Sequence, residues 1–455
     1  MDRRRFIMSL AAAAAGPALA ASNRGTDPRL GPLQADPDGV LDLPDGFRYD
    51  IVSKAGATMS DGFRVPQAHD GMAAFPGHDG RVILVCNHEL ETHQFDRGAF
   101  APDFDAVPEA IRSKLYDRGG DKTPGNGATT STVWNPNTGQ TERQFLSLAG
   151  TELNCSGGRT PWGSWLSCEE CFTWEGIGFG GARILHRDKP HGYVFEVPSR
   201  HEGLVDPVPI RAMGRFEHEA AAVHEASGIV YLTEDKYYSL FYRFLPRVPG
   251  KLMEGGRLQA LAVEGRPSLA THNWSDRPAI RPGDSLEVRW VDLDDVDSGT
   301  NDLRRRGAAL GAATFARGEG LTAAGDDIVF TCTIGGRFRL GQVFAYRPSR
   351  AEGDAAERDA PGRLTLIAES APDSILHNAD NLTMAPWGDL VVCEDTSDHC
   401  GLVGIRPDGS LYALADNAYS GSELSGACFS PDGNTLFVNI QYPGTTLAIT
   451  GSFPT

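Results

Sequence analysis

A frame of residues recurs in register at two distant places in this chain, and it restricts the fold more than any other feature. Asn154–Glu170 reads NCSGGRTPWGSWLSCEE and Asp380–Asp395 reads DNLTMAPWGDLVVCED. Without a gap, Cys155 falls on Asp380, Pro161-Trp162-Gly163 on Pro386-Trp387-Gly388, Cys168 on Cys393, and Glu169-Glu170 on Glu394-Asp395. Such recurrence marks one structural unit used repeatedly. Each copy opens on a group able to bind a metal and closes on two acids.

Four looser copies share the order of small turn, apolar run and polar close. They begin at Asp70, Glu219, Glu319 and Ser425. Their second strands are Arg81–Cys86, closing on Asn87-His88-Glu89; Gly228–Leu232, closing on Thr233-Glu234-Asp235; Asp327–Cys332; and Thr435–Asn439. The chain is rich in turn formers, with 53 Gly and 29 Pro, and shows no low-complexity run. Many short strands joined by turns are therefore expected. Six copies predict an all-β chain, a six-bladed β-propeller with irregular insertions. A short helix is expected near Val107–Ile111, a hairpin from Thr129–Trp134 to Gln144–Leu148, and a long insertion over Pro246–Gly311. Its acidic run Asp292–Asp297 reads as a solvated helix start rather than a calcium loop.

In a propeller the innermost strand of every blade lines the central channel. Cys155, Glu219, Glu319 and Asp380, with Asp70, would then converge although they lie far apart in sequence. Acids and a thiol buried together repel unless cations sit among them. The paired acids Glu169-Glu170, Glu234-Asp235 and Glu394-Asp395 alternate sides of a strand, so one of each pair can reach the channel. Glu89 is their counterpart in the first copy. Arg317, two residues before Glu319, is suited either to clamp phosphate through a bidentate fork or to pair with a neighbouring acid. His88, His218 and His377 read as structural histidines. No Ser-His-Asp order, G-x-S-x-G elbow or phosphate-binding Gly-rich loop is present, so a metal-activated water is the expected nucleophile.

Residues 1–20 combine Arg3-Arg4-Arg5-Phe6-Ile7 with an Ala-rich apolar run ending Ala18-Leu19-Ala20. This predicts a twin-arginine export signal, an ordinary secretory signal being the alternative, with a periplasmic or secreted destination. Residues 21–45 read as a polar leader and 46–455 as one propeller domain. No other stretch of the 455 residues is long and apolar enough to span a bilayer, so no membrane association is expected once the signal is removed. A net charge of −18 argues against a nucleic-acid partner. Eight cysteines in an exported chain invite disulfides. The frame instead places Cys168, Cys332 and Cys393 on buried strand positions and sets Cys155 apart as a ligand.

Asn-Cys-x-Gly-Gly-x-Thr-Pro-Trp-Gly-x-Trp-Leu-x-Cys-Glu-Glu, Arg-Gly-Glu-Gly and Phe-Glu-His-Glu-Ala, behind a twin-arginine signal, resemble the PhoX-type alkaline phosphatases. The resemblance spans most of the mature chain. It implies an exported six-bladed propeller hydrolysing small phosphomonoesters at a cluster of Fe3+ and Ca2+ ions joined by an oxo bridge. It further implies that Cys155, as thiolate to iron, Glu170, Glu219, Glu319 and Asp380 serve the cluster, and that Arg317 clamps phosphate. Export would pass through the twin-arginine machinery, and the product is expected to be a monomer. Two other functions suit a polar propeller channel: a calcium-dependent lactonase and a non-catalytic periplasmic binding propeller.

Overall fold

A computed structural model describes residues 26–180, 183–397 and 399–454. The export signal expected at 1–20 lies outside the described residues. The fold is all-β and propeller-like, with only short helices. Among the described residues no helix is long and apolar enough to cross a membrane.

Six strands line the axis: His69–Pro76, Asn154–Arg159, His218–Val223, Gly318–Ala324, Ala379–Met384 and Leu424–Phe429. Each packs beside the next, and the sixth returns to the first. Each also pairs antiparallel with the strand that follows it through a turn. Pro161-Trp162-Gly163 and Pro386-Trp387-Gly388 are two of these turns. Gly163 N donates to Thr160 O and Gly388 N to Ala385 O, and both glycines have φ near +90°. Proline early in a turn and a left-handed glycine at its end are what such a tight reversal selects. The most recognisable part of the motif thus builds a turn and carries no chemistry.

The sheets fan outward and bury apolar layers between neighbours. Phe75, Val85, Trp165 and Phe195 pack between the first and second, and Leu166, Cys168, Val230 and Tyr242 between the second and third. Val329, Val343, Leu390 and Val403 fill the gap between the fourth and fifth. The sheet of the sixth inner strand takes its outermost strand, Arg48–Lys54, from the start of the fold, which joins the two ends of the chain in one sheet.

Two expectations differ from the fold. The segment read as a leader carries strands Leu33–Gln34 and Leu41–Pro44, which add to the fifth sheet through Leu411–Asn417. Asp27 is buried there between Arg29 and Arg406, so these residues are part of the fold. The insertion Pro246–Gly311 also differs, since Asp292 ends a strand and no helix starts within Asp292–Asp297. Its strands Gly256–Val263 and Ser285–Asp292 link the third and fourth sheets into one of nine strands, and Leu303–Ala309 is helical.

Candidate metal centre

The expected ligand heads share one local geometry. Asp70, Cys155, Glu219, Glu319, Asp380 and Ser425 are each the second residue of an inner strand. In all six hairpins the register slips just after this point: between His69 and Met72, Asn154 and Gly157, His218 and Ala221, Gly318 and Leu321, Ala379 and Leu382, and Ser425 and Cys428. A bulge breaks the ladder and re-aims the side chain within it. Ala68, Leu153, Arg317 and Asn378, each one residue before such a strand, have φ between +46° and +55°. Four non-glycine residues in the left-handed region at one repeated position are strain that the fold imposes for a purpose.

A second tier lies where each partner strand ends. Glu89 N donates to Ala68 O, Glu170 to Leu153, Asp235 to Glu217, Thr333 to Arg317, Asp395 to Asn378 and Gln441 to Glu423. These backbone bonds set Glu89, Glu170, Asp235 and Asp395 beside the heads. The heads are themselves held from the neighbouring sheet. Asn87 donates to Cys155 O, Thr233 to Glu319 O, Thr331 to Asp380 O and Asn439 to Asp70 O, at 2.5–3.1 Å.

The two tiers bring ligand atoms together. Asp70, Glu89 and Cys155 form one triad, Cys155, Glu170 and Glu219 a second, and Glu219, Glu319 and Asp380 a third. Within each triad all ligand atoms lie within 4.8 Å of one another. Burial, and then the neighbouring charges, push these groups toward their protonated forms. Glu89 and Asp380 rise to about 8, while Asp70, Glu170, Glu219, Glu319 and the Cys155 thiol all rise well above their usual ranges. Both carboxylate oxygens of Glu219 are buried with no hydrogen-bond partner. An orphaned carboxylate facing five other acids and a thiol fits a site for cations, which would satisfy the oxygens and reverse the repulsion. The opposite end of the channel, a cavity of about 620 Å³ lined by Ala73, Gly158, Ala222, Leu321 and Ala427, carries none of these groups.

Arg317 stands at the edge of the cluster. Its Nε and Nη2 donate to the two oxygens of Asp235, each at 2.7 Å, and Nη2 lies 2.8 Å from Glu319 Oε1. Nη1 has no hydrogen bond within the protein among the described residues. The Glu319 charge, more than any other group, deepens its preference for the protonated state.

Other expected residues lie elsewhere. Glu169 points away from the axis and accepts from Glu152 N, His191 Nδ1, Gly192 N and Tyr193 N at 2.7–3.1 Å. Burial opposes the charge of His191, but Glu169 and Asp117 outweigh it and push the imidazole up to about 10. Glu234 also points away, accepting from Tyr242 OH at 2.8 Å with Arg304 at 3.6 Å. His88 binds Gln67 O and Thr130, His218 binds Gly214 O and stacks on Phe216, and His377 binds Ala371 O, so none enters the cluster.

Among the described residues no cysteine is in a disulfide, and Cys168, Cys332 and Cys393 are fully buried. Cys332 nevertheless holds a different frame position. It pairs with Gly318, as Glu169 pairs with Asn154 and Glu394 with Ala379, because the fourth hairpin turns one residue sooner.

Asp395 is the channel-side member of the expected pair Glu394-Asp395, whereas sequence reasoning missed Glu423. Glu423 is raised well above the usual carboxylate range by burial and then by Asp380, Asp70, Asp395 and Glu89. A signal existed for it: Glu423 precedes Ser425 by the offset that separates Arg317 from Glu319.

A propeller-like fold with a thiol and several acids buried on its axis, and an arginine at their rim, is that of a metal-dependent enzyme with an anionic substrate. Residues 29–137 and 125–444 match the family described as alkaline phosphatase PhoX, and the chain belongs to that family. It is thus a metal-dependent alkaline phosphatase that hydrolyses phosphomonoesters. Among solved structures it is similar to Pseudomonas fluorescens PhoX in complex with vanadate, a transition state analogue, at 19% identity and a TM-score of 0.66, covering 91% of this chain and 96% of that one. Much looser likenesses are a Xanthomonas campestris gluconolactonase (12% identity, 93% of this chain and 98% of that one, TM-score 0.42) and a Staphylococcus aureus virginiamycin B lyase with quinupristin (10%, 89% and 99%, 0.36). No curated protein matches the sequence.

Proposed function

We propose that the chain is an exported, six-bladed phosphomonoesterase whose axial cluster holds calcium and iron. The ring of six bulged strands supports the blade count. The orphaned Glu219 carboxylate, set among Cys155, Glu170, Glu319 and Asp380, is the single observation that carries the metal reading. Oxygen-only groups such as Asp70, Glu89 and Asp380 suit hard calcium, whereas a thiolate suits a transition metal, so Cys155 is assigned to iron. Asp235, Asp395 and Glu423 complete the acidic wall.

When bound, the cations would stabilise the charge that develops on the transferring phosphoryl oxygens. The remaining work falls to the chain's own groups. Asp235 and Glu319 lock the Arg317 guanidinium in one plane, leaving the Nη1 protons directed to an incoming phosphate. A fork already fixed loses little side-chain entropy on binding. Thr233 and Thr331 hold the carbonyls of Glu319 and Asp380, so the acids do not shift as charge enters.

The Glu219→Gln variant tests the metal reading through two opposite signs. In stripped protein at alkaline pH, where Glu219 is driven to ionise, it should raise stability by about 1–3 kcal/mol, because a neutral amide replaces an unpaired buried carboxylate. In loaded protein it should lower metal content and p-nitrophenyl phosphate turnover. Equal metal content and turnover in the variant and the parent would remove Glu219 from the site. The twin-arginine signal at 1–20, the periplasmic or secreted location and the monomeric state belong to the same reading. A reporter fused to residues 1–25 and followed in cells lacking the twin-arginine pathway tests the export part.

A further inference from the structure

Beside Arg317 the rim carries aromatic rings that the cluster does not use. Asp235 leads directly to Lys236, Tyr237 and Tyr238. Tyr237 pairs with Ala316, and Arg317 N donates to Lys236 O at 3.1 Å. Both tyrosines are 54% exposed, and neither hydroxyl has a hydrogen bond within the protein among the described residues. Tyr238 holds φ +59°, a left-handed conformation that a bulky residue seldom adopts.

A rigid base stands behind them. The Trp274 ring stacks on His272 at 4.1 Å, and Trp274 Nε1 donates to Ile334 O at 2.7 Å. Tyr237 and Tyr238 contact the indole at 5.9 and 5.3 Å between centroids. The exposed Arg339 guanidinium lies over the same indole at 4.8 Å. Its carbonyl and that of Leu340 accept from Asn378, two residues before Asp380. The platform is therefore tied at one side to the Arg317 strand and at the other to the Asp380 strand.

Exposed rings held this firmly at the mouth of a catalytic channel mark a binding surface. Tyr237 lies within two residues of Asp235, so its Cα is at most about 7.6 Å from that of the acid anchoring Arg317. We infer that Tyr237 and Tyr238, buttressed by Trp274 and flanked by Arg339, form a subsite for the leaving group, and that it selects phosphomonoesters bearing a planar aromatic ring, nucleoside 5′-monophosphates above all. The phosphate would meet Arg317 while the base stacks on the tyrosine faces, with the guanidinium of Arg339 adding cation–π attraction. This rests on the phosphomonoesterase assignment and adds the substrate class to it.

The test compares hydrolysis of adenosine 5′-monophosphate and glycerol 2-phosphate by the metal-loaded protein. The parent should favour the nucleotide in kcat/KM. Tyr237→Ala and Tyr238→Ala should each lower the nucleotide-to-glycerol ratio about tenfold, mainly through KM, and Tyr237→Phe should restore it. A parent with no preference, or alanine variants that lower both substrates equally, would overturn the subsite and leave the phosphatase standing. Absence of turnover on both substrates would instead remove the phosphatase and the subsite with it.

Discussion

Two cysteines in one motif separate a proposed ligand from a core residue at the scale of single residues. Cys155 heads an inner strand inside its bulge and shares triads with Asp70, Glu89, Glu170 and Glu219. Cys168 is wholly buried among Leu166, Val194 and Val230. Cys155→Ala should therefore abolish transition-metal binding in a folded protein. Cys168→Ala should lose only buried contact, about 1 kcal/mol, and keep the metal. Metal content and thermal melting of both variants decide this, and equal metal loss would refute the division. Arg317→Lys should keep the metals, since Arg317 is no ligand, yet lower kcat/KM about 10- to 100-fold. Lysine cannot hold Asp235 in a fork and present further donors to phosphate. Unchanged kcat/KM would make Arg317 a structural ion pair only.

The unit of construction at the scale of elements is a bulged hairpin, and its tight packing yields a prediction of its own. A Cβ on Gly320 would collide with the carbonyl oxygen of Asp380 on the next inner strand, and one on Gly71 would come within 2.5 Å of Ser156 Cα. Neither obstacle is a flexible side chain. Gly320→Ala should thus cost about 1–3 kcal/mol, on the scale of overpacking a close-packed core, and loosen the Glu219–Glu319–Asp380 triad, as melting temperature and metal content would report. Wild-type stability in this variant would contradict the strand spacing.

This scale also explains what the sequence revealed. Asp70, Cys155, Glu219, Glu319 and Asp380 were legible because one offset from an apolar run recurs wherever a strand begins. Choosing between Glu169 and Glu170 was beyond it, because alternation names two faces without saying which meets the axis. That choice depends on where each hairpin turns, and a single residue of turn length displaced Cys332 from the position of Cys168. Strands Leu41–Pro44, Arg48–Lys54 and Ser285–Asp292 were illegible as sheet partners, since each pairs with chain far away in sequence.

Across the whole molecule the formal net charge is −18, and six of the acids, Asp70, Glu89, Glu170, Glu219, Glu319 and Asp380, gather on the axis. Glu89 and Asp380, at about 8, lie far above their ordinary values because burial disfavours their charge. The sign follows from linkage: folding without cations takes up protons at these groups. Their favourable contribution is full below about pH 4 and is lost as pH rises through about 8. Metal-stripped protein should accordingly melt at progressively lower temperature between pH 5 and pH 9. Calcium should remove much of that slope, because cations replace the protons. A stripped protein equally stable at both ends of this range would show that the acids are not confined together.

The central claim is that the axial acids and Cys155 hold the metals on which phosphomonoester hydrolysis depends. Elemental analysis paired with p-nitrophenyl phosphate turnover at alkaline pH, on the same sample before chelation, after it and after reloading, tests it most directly. The account predicts bound metal in the active protein, loss of turnover as the metal is removed, and recovery on reloading in the parent but not in Cys155→Ala. Full turnover by protein stripped of all metal would contradict it.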